Sequence, residues 1–145
     1  SGGKVVAMVG NHEAMNMTGD LRYVHSGEFR AFTDRQSESR RDRIYEANRA
    51  AIEAAYKAKD PKLTAEAIRN DWMKANPVGM LEHQLAWGPA GEIGKWVVGN
   101  PAVVKIGDSL FVHGGISAAY TQYSPEQINF TLNWFEELKQ RVPVH

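Results

Sequence analysis

The hydrophobic pattern divides this chain into two apolar, strand-like stretches around a charged and helical middle. The run KVVAMV from Lys4 to Val9 is short, apolar and rich in Val, and Gly10 closes it. That length and composition predict a buried strand, with Asn11, His12 and Glu13 in the loop leaving it. Residues 14–33 mix Met, Gly and aromatics without a clear period, which predicts loop with one short helix. From Asp34 to Asp60 the chain is charged and Ala-rich. Ile44, Ala47, Ala51 and Ala55 recur at helical spacing, and their small size predicts a closely packed neighbour. Asp60-Pro61 predicts an N-cap and first position for a second helix running to about Ala75, with Leu63, Ile68 and Trp72 inward. Asn76-Pro77 ends it. Val78 to Ala86 predicts a third short helix, and Trp87 to Gly94 (WGPAGEIG) a loop.

The last third changes rhythm. Val103-Val104-Lys105-Ile106 and Leu110-Phe111-Val112 flank Gly107-Asp108-Ser109, which predicts a β-hairpin. The second strand runs straight into His113-Gly114-Gly115. Ser124-Pro125 opens a further helix, with Ile128, Leu132, Phe135 and Leu138 on its apolar face. No internal repeat or low-complexity linker interrupts the chain.

Composition narrows the function classes. The 17 basic and 17 acidic residues cancel, so no basic excess points to nucleic acid. The absence of Cys excludes a disulfide framework and thiolate metal sites, and fixes no compartment. No apolar run approaches the roughly 20 residues that cross a bilayer. Ser1-Gly2-Gly3 leads directly into the first apolar run, which is not a signal-peptide pattern. So abrupt a start predicts a chain cut from something longer.

Two segments share one layout, an apolar strand ending in a polar turn with His: VAMVG before Asn11-His12-Glu13, and LFV before His113-Gly114-Gly115. Strand ends are where ligand sites assemble in layered α/β sheets. Imidazole nitrogen and amide oxygen suit Zn, Mn or Fe, and glycine beside His lets backbone approach a metal or phosphate.

GNHE on one strand exit and VHGGIS on another resemble signature motifs of the phosphoprotein phosphatase branch of the calcineurin-like metallophosphoesterases. The wording GNHEAMNMTGDLRYV resembles the Shewanella-like protein phosphatases, a mainly bacterial group that also occurs in plants and protists. The resemblance implies an α/β fold: a fragment of the α/β sandwich, one partial domain over 1–145, with a helical cap inserted at about 34–99. It implies a metal-dependent phosphatase with a dinuclear Mn, Fe or Zn site, acting on a phosphoprotein, a phosphopeptide or a small phosphoester. The balanced charge leaves no nucleic-acid partner expected, and the compartment stays unknown, bacterial cytoplasm or periplasm. Asn11 and His113 correspond to ligands of one metal. His12 corresponds to the imidazole that contacts phosphate and protonates the leaving oxygen, and Glu13 to a structural partner.

Two further residues are candidates for phosphate contact. Arg22 offers a forked, permanently charged donor, against which stands an ordinary salt bridge. His25 follows Tyr23-Val24 and can approach from the substrate side or simply face solvent. The basic residues between Arg35 and Arg49 are interleaved with Asp34, Glu38, Asp42 and Glu46, the pattern of a solvated helix face. The resemblance also implies GDxHG, GDxxDRG and a final GH motif, none of which occurs here. The 145-residue chain alone is therefore expected to be weakly active or inactive. Two alternatives accompany the phosphatase reading. One is a non-catalytic α/β binding domain descended from a phosphatase. The other is a hydrolase of nucleotides or diadenosine polyphosphates.

Overall fold

The computed structural model describes residues 2–132. Its helices are α1 (Asn11–Met17), α2 (Ser26–Ala31), α3 (Ser37–Lys59), α4 (Ala65–Ala75), α5 (Met80–Trp87), α6 (Glu92–Val98) and α7 (Pro125–Leu132). Strands β1 (Val103–Ile106) and β2 (Ser109–Val112) form a two-stranded sheet, and a turn of 3-10 helix spans Ala118–Tyr120. Mixed helix with a small sheet is compatible with an α/β fragment. The predicted apolar positions Phe135 and Leu138 lie outside the described residues. The chain separates into two compact units, one of residues 24–84 and one of the described residues on either side of it.

In the unit of residues 24–84, α3 packs along α4. The face that α3 buries differs from the predicted one. Of the predicted row Ile44 is half-buried but Ala47, Ala51 and Ala55 are exposed, whereas Tyr45 is 1% exposed and Ile52 and Tyr56 are half-buried. Aromatic rings remove far more apolar area from water than methyl groups do, so they decide which face turns inward. Tyr45 meets Trp72 of α4 with ring centroids 5.2 Å apart, and Ile68 beside it is fully buried. Arg40 of α3 pairs with Asp34 at 3.0 Å and with Glu82 of α5.

The start of α4 also differs from expectation. Asp60 is the C-cap of α3, and its Oδ1 accepts from the Lys62 N–H at 3.0 Å. Pro61 sits in the turn that follows, and Thr64 caps α4 by accepting from the Ala67 N–H at 3.1 Å. Asp-Pro serves a turn as readily as a helix start, and the hydroxyl three residues before Ala67 settles which.

In the other unit, β1 and β2 pair antiparallel with Val103 opposite Val112 and Ile106 opposite Ser109. The loop is the dipeptide Gly107-Asp108. Gly107 has φ +58° and Asp108 a negative φ, the pattern of a type II′ turn with glycine first. Helix α7 packs on β1, and Val103 and Ile128 are both buried. Met17 of α1 and Val97 of α6 form the apolar core, with Val9, Ala14, Trp87 and Ile93 against them. Helix α6 falls within and beyond a predicted loop: the glycines that read as breakers are its N-cap, Gly91, and its third residue, Gly94.

The expected strand over Lys4 to Val9 is not formed. The segment lies outside regular structure, Val5 is 95% exposed, and the Val9 N–H donates to the Pro101 carbonyl at 3.0 Å. A strand requires a ladder of such bonds, and among the described residues only β1 and β2 pair. Asn11-His12-Glu13 accordingly form the first turn of α1 rather than a loop.

Candidate active site

Helix α1 begins directly at the GNHE tetrapeptide. Glu13 reaches back so that its Oε2 accepts from the Gly10 N–H at 2.8 Å, satisfying one of the amides that a helix start leaves open. Glu13 is thus a structural partner in this turn. Asn16 Nδ2 donates to the His12 carbonyl at 3.0 Å and ties the same turn from the other side.

The second segment arrives on β2. His113 follows Val112, the last strand residue, and its ring lies against Gly10. A Cβ on Gly10 would stand 3.0 Å from His113 Cε1 and 2.8 Å from Glu13 Oε2, so a side chain here would make both groups shift. His113 Nε2 is 2.8 Å from Asn11 Oδ1. An amide oxygen only accepts, so this contact is a hydrogen bond in the tautomer with the hydrogen on Nε2, and a metal at this nitrogen would take that hydrogen's place. Both residues are exposed, beside a pocket of about 420 Å³. Val9, Gly10, Val103 and Val112 are among its walls.

Two donors bound to one cation at about 2.0–2.1 Å, roughly at right angles, lie about 3 Å apart. The Asn11 and His113 donors already stand at 2.8 Å, and amide oxygen and imidazole nitrogen are both suitable ligands. They fit as one edge of a coordination shell. Among the described residues no group of three His, Cys, Asp or Glu side chains could complete a shell.

His12, next to Asn11, is exposed, and its ring stacks on Tyr23 with centroids 5.3 Å apart and planes 15° from parallel. Arg22 grips Asp20 with Nε at 2.9 Å from Oδ1 and Nη2 at 2.7 Å from Oδ2. This forked contact holds the Asp20 carboxyl below its ordinary value and raises Arg22 above its own. His25 lies in the other unit, where its Nδ1 accepts from the Gly27 N–H at 3.0 Å and caps α2. Sequence reasoning missed Tyr23 and Asp20. Their only signal was proximity to GNHE within the run Gly19 to Val24, which has no helical or strand period.

Comparison with known proteins decides the relationship. Over 137 residues, 89% of this chain, the sequence is 33% identical to Shewanella-like protein phosphatase 2 of Arabidopsis thaliana. This chain is related to the Shewanella-like protein phosphatases. It spans 32% of that plant relative's length. A 39-residue stretch is 49% identical to an uncharacterised protein of Schizosaccharomyces pombe, covering 27% of this chain and 12% of the yeast protein. No family profile and no solved structure matches. No described helix is long and apolar enough to cross a membrane.

Proposed function

We propose that this chain is part of a metal-dependent phosphatase acting on phosphoproteins or phosphopeptides. The observation that carries the reading is the meeting of Asn11 Oδ1 and His113 Nε2 at 2.8 Å across 102 positions, with His12 adjacent. The plant relative, named as a protein phosphatase, supports the same class. In the whole protein we read the hairpin as part of an α/β sandwich and residues 34–99 as an inserted helical cap.

Asn11 and His113 would hold one of two divalent cations, Mn, Fe or Zn. Such a pair, when bound, supplies charge for the phosphoryl oxygens and activates water. His12 then has the work that remains, giving a proton to the departing oxygen. A positioned acid contributes about 10²–10⁴-fold. Arg22 and His25 have weaker support for phosphate contact, since each already holds a local partner, Asp20 and the Gly27 N–H.

The test is phosphate release by the protein encoded by the full reading frame. Phosphopeptides and p-nitrophenyl phosphate should be hydrolysed with Mn²⁺ and not after chelation. Release from nucleotides or diadenosine polyphosphates alone, or from no phosphoester at all, would overturn the reading.

A further inference from the structure

We propose that Tyr23 is a positioning residue for His12, holding the imidazole plane that faces the leaving group. The inference rests on the assignment of His12 as the proton donor. His12 stands on the first turn of a short helix and is exposed, so the core does not fix its side chain. A general acid is effective only when its N–H is aimed at the departing oxygen. The contact that limits this freedom is the Tyr23 ring, 5.3 Å away and nearly parallel.

The loop that delivers Tyr23 is tied in place. The Asp20 N–H donates to the Met15 carbonyl at 2.9 Å, anchoring the loop to the end of α1. Asp20 in turn takes the fork of Arg22, whose Cζ lies 6.0 Å from the Tyr23 ring centroid. Tyr23 is 67% exposed, so its ring adds little to the core. The Arg22–Asp20 pair then acts on the site through the loop.

The experiment is a double-mutant cycle in the protein encoded by the full reading frame, reading kcat, KM and metal content. Tyr23→Ala should lower kcat about tenfold on a phosphoserine peptide, whose alkoxide needs its proton. On p-nitrophenyl phosphate the loss should stay within about twofold, since general-acid help follows Brønsted behaviour. KM and metal content should hold. Tyr23→Phe, which keeps the ring, should restore the rate. On a His12→Asn background, Tyr23→Ala should cost nothing further. Full rate in Tyr23→Ala, equal loss on both substrates, or additive loss in the double variant would each overturn the proposal. A His12→Asn protein with undiminished kcat would overturn the site reading and the positioning role together. If His12→Asn loses rate while Tyr23→Ala does not, only the positioning role falls. Should Tyr23→Ala lose its circular dichroism signal, Tyr23→Leu carries the same comparison.

Discussion

Asn11 and His113 meet at 2.8 Å although 102 positions separate them, and Gly10 is what lets them do so. The His113 ring comes within 3.0 Å of the point where a Cβ of residue 10 would stand. Gly10→Ala should therefore push His113 away from Asn11 or displace Glu13 from its cap. Overpacking of this kind costs about 1–3 kcal/mol. Thermal unfolding should report that loss, with metal content falling severalfold. A variant with the parental midpoint and metal content would mean that the ring moves aside freely.

The unit of residues 24–84 owes its packing to aromatics rather than to its alanine row. Tyr45→Ala removes a ring that is 1% exposed and packed on Trp72, and should cost about 3–5 kcal/mol. Ala51→Ser, on an exposed stretch of α3, should stay within about 0.5 kcal/mol. Denaturant unfolding followed by Trp fluorescence distinguishes the two. Comparable losses would restore the alanine face as the buried one.

The same unit should weaken in mild acid. His83 is fully buried, edge-on to Phe29 and Phe32 with centroids 5.2 and 5.0 Å away. Burial lowers its pKa from 6.5, and Glu28 opposes that shift. The unfolded chain thus takes up a proton at higher pH than the folded one. Stability is full above about pH 6.5 and declines as pH falls from there toward the lowered folded-state value. His83→Leu should flatten this dependence between about pH 7.5 and 5. An unchanged slope in the variant would assign the acid sensitivity to other groups.

Part of this architecture was legible beforehand. The hairpin was, because Gly107-Asp108 between two apolar runs has few other uses, and the meeting of Asn11 with His113 was expected from the resemblance of GNHE and VHGG to paired phosphatase motifs. Several features were not. Lys4 to Val9 carries a strand's composition, but pairing depends on a neighbour that local pattern cannot supply. Helix α6 was hidden by Gly91 and Gly94, which sit at its cap and first turn instead of breaking it. The Tyr23–His12 stack depends on a loop path fixed by Asp20 and Arg22, and loops have no period to read.

The isolated 145-residue chain should bind Mn²⁺ or Zn²⁺ weakly. In the proposed site Asn11 and His113 would supply one edge of a shell, and affinity rests on a complete, deprotonated set with its supporting groups. Calorimetry should find binding no tighter than the micromolar range, and p-nitrophenyl phosphate should not turn over steadily. Turnover lost on chelation and restored by metal would show that fewer groups suffice.

The central claim divides two adjacent residues: Asn11 holds metal with His113, while His12 meets the leaving oxygen. Metal content per chain, by elemental analysis of variants of the protein encoded by the full reading frame, tests it most directly. Asn11→Ala and His113→Ala should each lose most of the divalent metal, and His12→Asn should keep it while kcat falls. Loss of metal from His12→Asn to the same extent as from Asn11→Ala, or a parent protein that carries no metal after loading, would contradict the account.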